Sequence, residues 1–476
     1  MDAIKMPTQE ESALLESFSR LRAASRAAPY PAAETRGSWL NALERLLQEN
    51  RQALVDAVSR DFGQRSSVET RLAELFPSLE AVRHARRHLN RWMRPARRGV
   101  SIWFQPAGAS VLPQPLGVVG VVVPWNYPLF LSFGPIVAAL AAGNRVMVKM
   151  SEYTPATGEL LEQLAARYFG SDLLTVVNGG PELAQAFTRL PFDHLLFTGS
   201  TAVGRHVMRA AAENLTPVTL ELGGKSPTLV ARGANLRRAA EAIVAGKLMN
   251  AGQTCVAPDY LLVNDKDREP LLDEIRAAAK RAYPTLAGNP DYTAIVNDRH
   301  YQRLRQWLDG ARQAGARVEE LNPAGEDPAV TRKMALTLVQ DCPDDCALMR
   351  EEIFGPILPV VSYDKFDEAL AYINARPRPL ALYLFDDDAL RIERVLKETV
   401  SGGVSVNDTL LHVVQEDLPF GGVGPSGMGH YHGREGFLTF SKLKPIFRQS
   451  RLSGAWLTRP PYGVAVEWLL KLMLRR

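Results

Sequence analysis

The run LGVVGVVVP at 116–124 is followed by NRVMVKM at 144–150, LLTVVNG at 173–179, DHLLFTG at 193–199 and PVTLELGG at 217–224. Each run is nearly continuous in apolar residues, the pattern of a strand buried on both faces. Each link between runs is long enough for a crossover helix, so 116–224 reads as a parallel α/β sheet. Downstream, further strand and helix signals fill 227 to about 406. Upstream, Trp39, Leu40, Leu43, Leu46, Leu47, Leu54 and Val58 recur at helical spacing in one stretch ended by Phe62 and Gly63. A second helical pattern runs from about 68 to 92 and is closed by Pro95.

The chain has 476 residues and a mass of 52.5 kDa, which suggests roughly two to four domains. With 46% hydrophobic and 23% charged residues it is composed as a globular protein. Three cysteines are too few for a disulfide framework and point to a reducing compartment. A net charge of +4 is too small to argue for nucleic acid. Seven arginines fall between Arg83 and Arg98, but no stacking aromatics accompany them, and a solvated helix face is the expected reading. The N-terminus lacks the apolar region of a secretory signal, and no apolar run approaches the ~20 residues of a spanning helix. A cytoplasmic protein is expected.

Several segments carry chemistry. The glycine pattern at Gly422, Gly424 and Gly427 matches a dinucleotide fingerprint, but it follows no strand and contains Pro425, so it reads as a turn-rich loop. FTGSTAVG at 197–204 is a better anion site: a strand ends at Gly199 and Ser200, and a helix carrying Gly204 begins. The same arrangement also occurs with no ligand. Lys149 and Glu152 follow the strand at 144–150, on the side where ligands bind a parallel sheet, or else form a surface pair. Cys255 lies between a helical stretch and a strand, and is either a nucleophile or a small buried hydrophobe. Glu221 ends the last strand of the sheet, where a carboxylate among apolar residues is costly unless paired or protonated; it is a general-base candidate. Cys342 and Cys346 have no second Cys or His pair, and His430 and His432 lack ligand spacing, so no metal site is expected.

PWNYP (124–128), VKMSE (148–152), FTGST (197–201), LELGGKSP (220–227), GQTC (252–255) and EEIFGP (351–356) occur in the order found in aldehyde dehydrogenases, which the chain resembles from about residue 35 onward. LPFGGVGPSGMGHYHG (418–433) and RPPY (459–462) resemble the class 3 branch. The N-terminal helices and the arginine-rich stretch look most like those of bacterial coniferyl aldehyde dehydrogenases.

The resemblance implies an α/β fold with a parallel Rossmann-type cofactor domain, an α/β catalytic domain and a small oligomerisation element. The corresponding assignment is 1–91 and 113–223 for NAD binding, 224–420 for catalysis, 92–112 and 421–459 for oligomerisation, and 460–476 as an amphipathic tail. It also implies oxidation of an aldehyde to an acid through a thiohemiacetal and a thioester. Cys255 is then the nucleophile, Asn126 an oxyanion donor and Glu221 the base that activates water. Glu352 and Phe354 would hold the nicotinamide ribose and ring, Lys149 and Glu152 the adenosine ribose, and Gly199, Ser200 and Gly204 the pyrophosphate turn. Met150 stands where proline often follows the lysine, which leaves these polar contacts intact.

NAD is the expected cofactor, with NADP tolerated. The implied substrate is an aromatic or allylic aldehyde such as coniferyl aldehyde, the alternatives being a medium- or long-chain aliphatic aldehyde and a catalytically silent structural relative. A homodimer is implied, with neither nucleic acid nor a transmembrane segment. The tail at 460–476 is expected to pack on the enzyme near the substrate mouth, with peripheral membrane contact as its other reading.

Overall fold

The computed structural model describes residues 8–474; 1–7 and 475–476, the outer ends of the 1–91 and 460–476 assignments, lie outside the described residues. The five apolar runs form the strands Val118–Val122, Arg145–Lys149, Leu174–Val177, His194–Gly199 and Val218–Leu222. All five are parallel, with Val118–Val122 between Arg145–Lys149 and His194–Gly199. The edge is closed by Gly427–Met428, which runs antiparallel to Val218–Leu222 and places Gly427 opposite Glu221. The glycine-rich loop that fails as a fingerprint therefore seals the sheet beside that carboxyl.

The second half builds a seven-stranded sheet around Pro227–Val230, Tyr260–Asn264 and Ala381–Phe385, parallel except at the Arg317–Leu321 edge. A third, antiparallel sheet joins Ala96–Arg98, Gly108–Pro115 and Ser441–Arg448. Near it Ile102, Trp103, Phe104, Leu443 and Phe447 remain exposed.

Helix Phe130–Ala142 buries every residue between the first sheet and the N-terminal helices, as its unbroken apolar sequence requires. Its C-terminal carbonyls on Ala141 and Ala142 accept from the buried Arg36 guanidinium at 3.1 and 2.8 Å.

The N-terminal helices differ in two places from their sequence reading. The stretch around 39–58 breaks at Asn50 into Ala33–Glu49 and Arg51–Phe62. The pattern from 68 to 92 contains a π-helical turn, Arg71–Leu75, between Ser67–Thr70 and Phe76–Trp92. Pro77 explains the turn: it has no N–H to donate, and its ring would crowd the carbonyl four residues back in a regular helix. In the basic stretch, Arg83 and Arg86 both pair with Glu44 on the neighbouring helix.

The tail forms a helix, Val464–Met473, but it buries none of its residues, and Trp468 is 66% exposed. Val466, Leu469 and Met473 are only half-buried, so the expected close packing on the body is not observed. Its apolar side chains Val464, Trp468 and Leu472 recur every four residues and face solvent, so the stripe meets no complementary surface among the described residues.

Candidate active site

Helix Leu236–Leu248 runs into a short turn, Met249–Gly252, where Asn250 and Ala251 both have φ of 53°. Left-handed backbone costs such residues on the order of 1–3 kcal/mol each and persists only when its surroundings over-determine it. Here they do. Asn250 donates its backbone N–H to Glu69 Oε1 and its side-chain amide to the carbonyls of Asn126 and Gln253, all at 3.1 Å. Gln253 donates in turn to the carbonyls of Asn250 and Ala294 at 3.0 Å. Gly252, at φ 74°, passes so close to Gly355 that a Cβ would lie 2.5 Å from that carbonyl oxygen. This braced turn delivers Thr254 and Cys255.

Cys255 is partly exposed and free. Its sulfur accepts from its own N–H and that of Val256, but burial, then the Glu352 and Glu221 carboxyls, push the thiol well above its ordinary value. A thiol so raised favours its neutral form, so any nucleophilic use of it would need an acceptor for its proton.

Glu221 is 2% exposed, and neither carboxyl oxygen has a hydrogen-bond partner among the described residues. Burial holds its pKa well above the carboxylate range. Asn126, also buried, donates its side-chain amide to the Gln253 carbonyl at 3.2 Å. Asn126, Glu221, Cys255, Glu352 and Phe354 line one cavity of about 220 Å³. Trp125 and Phe420 supply aromatic wall to the same space.

A larger cleft of about 1250 Å³ adjoins it and is lined by Lys149, Glu152, Gly199 and Ser200. Trp125, Gly199, Ser200, His300 and Arg303 border both, so the two spaces are neighbours across these residues. Lys149 is buried and donates from Nζ to the carbonyls of Met150 and Gly179 at 2.6 and 2.7 Å; burial lowers its pKa, against the nearby Glu152. Glu152 is exposed in the cleft. Ser200 caps helix Thr201–Ala212, accepting from Val203 N–H at 3.4 Å, so that the helix start borders the cleft.

Glu352 Oε1 has no hydrogen-bond partner among the described residues, and burial first, then Asp259, raises this carboxyl to about 8. A carboxyl with one oxygen unpartnered among the described residues in the smaller space, a helix start bordering both spaces and an exposed carboxylate beside Lys149 suit a ribose, a pyrophosphate and a second ribose in turn. The residues present fit a dinucleotide.

Gly204 lies buried within helix Thr201–Ala212, where a Cβ would lie 2.7 Å from Leu222 Cδ2, so its smallness serves helix-on-strand packing. The sequence did not point to His300 and Arg303, which stand on helix Asp298–Gln313 with no local signature. Arg303 donates to the Ile353 carbonyl at 2.8 Å, beside Glu352. Cys342 and Cys346 pack against the core of the second domain, and no metal-binding cluster occurs among the described residues.

The aldehyde dehydrogenase family model matches residues 4–446. The chain is 55% identical to a probable coniferyl aldehyde dehydrogenase of Pseudomonas aeruginosa, covering 99% of this chain and 98% of that one. It is 48% identical to a coniferyl aldehyde dehydrogenase of Pseudomonas sp. strain HR199, covering 93% and 92%. The fold is similar to that of a Mycobacterium tuberculosis aldehyde dehydrogenase complexed with NAD+, with a TM-score of 0.84 and 27% identity, covering 94% of this chain and 92% of the other.

Proposed function

The chain belongs to the aldehyde dehydrogenase family and catalyses NAD(P)-dependent oxidation of an aldehyde to a carboxylic acid, and we propose that it does so with Cys255 as nucleophile, Asn126 as oxyanion donor and Glu221 as base, on coniferyl aldehyde or a similar aromatic or allylic aldehyde. One observation carries this reading: the three groups line a single cavity that adjoins a cleft suited to a dinucleotide.

Cys255 attacks the aldehyde carbon, its thiol proton passes to solvent water, and a C–S bond forms as the carbonyl oxygen gains charge. That oxygen is met by the Asn126 amide N–H not committed to Gln253, and by the Cys255 backbone N–H once the sulfur is bonded to carbon. When bound, the dinucleotide supplies the hydride acceptor that no side chain provides, leaving a thioester on Cys255. Glu221 takes a proton from water, the hydroxide adds to the thioester, and the acid departs as the thiol is restored. Glu352 and Phe354 orient the nicotinamide riboside, Lys149 and Glu152 the adenosine ribose, and Gly199 and Ser200 the pyrophosphate.

The coniferyl assignment rests on the similarity to the two relatives so named and on the aromatic wall of Trp125 and Phe420. Kinetics with coniferyl aldehyde, benzaldehyde and hexanal, following reduced cofactor, test it; the highest kcat/KM on hexanal overturns it. The exposed apolar side chains beside the three-stranded sheet support a homodimer. No helix among the described residues is long and apolar enough to cross a membrane. A cytoplasmic location is our reading, with peripheral membrane contact, if any, through the exposed stripe of Val464–Met473.

A further inference from the structure

Arg65 is buried, and its Nη1 donates to the backbone carbonyl of Asn126 at 2.9 Å. The same nitrogen lies 2.9 Å from Glu74 Oε1, an ion pair with both side chains fully buried. The guanidinium stands over the rings of Phe62 and Tyr127, at 5.0 and 4.7 Å from their centroids. Glu74 Oε2 accepts from the N–H groups of Leu129 and Phe130 at 2.7 and 3.2 Å. The segment 126–130 is thus gripped at both ends, its first carbonyl by Arg65 and its last N–H groups by Glu74.

Glu69 acts on the other wall. Its Oε1 accepts from Asn250 N–H at 3.1 Å and its Oε2 from Thr293 Oγ1 at 2.6 Å. Asn250 is one of the two left-handed residues of the turn that carries Cys255, and its side chain bonds the same Asn126 carbonyl that Arg65 holds. In a regular α-helix, residues five apart stand about 140° apart around the axis. The π turn at Arg71–Leu75 shortens that separation and lets Glu69 and Glu74 serve one face.

A buried ion pair is weak evidence for stability, because removing both charges from water offsets their attraction. Arg65 adds to that cost, since its Nε and Nη2 have no partner among the described residues. What the group does hold is backbone next to chemistry.

We propose that Arg65 and Glu69 are positioning residues of the acyl-transfer centre: Arg65 sets Asn126, Glu69 sets the turn bearing Cys255, and the two donors of the oxyanion hole are thereby aligned from the N-terminal helices. This rests on the reading of Cys255 and Asn126 given above. A misplacement of about 1 Å in such a site costs on the order of 100-fold in rate.

The test uses Arg65→Met, Arg65→Lys, Glu69→Ala and Glu69→Gln, with Arg36→Met as a control for losing a buried guanidinium outside the site. Two rates are read: kcat for aldehyde oxidation, and acylation by 4-nitrophenyl acetate, an activated ester that forms a similar oxyanion with no dinucleotide. Arg65→Met and Glu69→Ala should lower both by about 10- to 100-fold, leaving aldehyde KM and NAD affinity unchanged. Glu69→Gln, which keeps an acceptor for Asn250, should recover most of the loss. Arg36→Met should lower Tm and leave both rates intact. Arg65→Lys keeps the charge and a donor, and serves where Arg65→Met does not fold; it should fall between Met and wild type. Wild-type rates in folded Arg65→Met or Glu69→Ala overturn the proposal, as does an equal loss in Arg36→Met or a loss explained by weaker NAD binding. Turnover that survives Cys255→Ala removes the site and the proposal together, whereas turnover that needs Cys255 but ignores Arg65 and Glu69 overturns the proposal alone.

Discussion

The side-chain amide of Asn126 and the carbonyl of Gln253 are joined by a hydrogen bond of 3.2 Å, tying the end of one sheet to the loop that presents Cys255 in the next domain. An amide nitrogen carries two hydrogens. One is committed to that loop, which fixes where the other points and, in the proposed mechanism, leaves it for the substrate oxygen.

Asn126→Ala removes this donor and the tie at once. Loss of one oxyanion donor costs about 10²–10³-fold in kcat. Steady-state kinetics should therefore show kcat falling by that order, with little change in aldehyde KM.

Chemistry should run through one thiol. Cys255→Ala is expected to abolish production of reduced cofactor, whereas Cys342→Ala with Cys346→Ala should leave kcat near wild type, because both of those side chains pack against the second core. Retained turnover in the first variant would sink the mechanism.

Glu221 separates the two halves of the reaction. Glu221→Gln should still give a stopped-flow burst of reduced cofactor but little steady turnover. In wild type, the raised carboxyl must ionise before it can act as a base, so kcat should climb with pH while the burst amplitude stays. Loss of the burst in Glu221→Gln would mean an earlier role, such as taking the thiol proton.

Stability should fall as pH rises through the range of Glu352. Its pKa is about 8 in the folded chain against an ordinary 4.5, so between these values the folded state holds a proton that the unfolded chain has lost. The stabilisation is complete below the ordinary value and gone once pH passes about 8. Thermal melts should give Glu352→Gln a flatter dependence of Tm on pH than wild type.

Cofactor choice should favour NAD. A 2′-phosphate adds about −1.5 to −2 charges, and Glu152 faces the cleft beside Lys149, whose ammonium is already engaged by two carbonyls. Glu152→Gln should narrow the ratio of kcat/KM between NAD and NADP. A higher kcat/KM with NADP in wild type would refute the assignment.

Periodicity and local motifs settled a good deal before any contact was known. Strands buried on both faces must be continuously apolar, so the five runs of the first sheet were legible from 116 to 224. LELGGK also singles out Glu221, because a carboxyl in an apolar strand end is locally conspicuous, whereas Cys255 in GQTC reads locally as either a nucleophile or a small buried hydrophobe, and only the family resemblance decides between them. Gly204 shows the limit of such local reading: a small residue at a helix start looks alike whether a ligand or Leu222 lies across from it. The exposed tail has a similar cause, since an amphipathic stripe specifies a face but not its partner.

Tertiary structure alone decided what holds the site together. Arg65 and Glu74 bracket Asn126 through Phe130, and Glu69 meets Asn250 from far along the chain. In the sequence these are ordinary charges among many on helices. Their buried, paired state arises only when the N-terminal helices, the π turn and two separate domains close on one another. Sequence periodicity specifies which face of an element is apolar; which distant backbone groups a buried charge will meet is set by packing, because hydrogen bonds act over about 3 Å and depend on the final position of both partners.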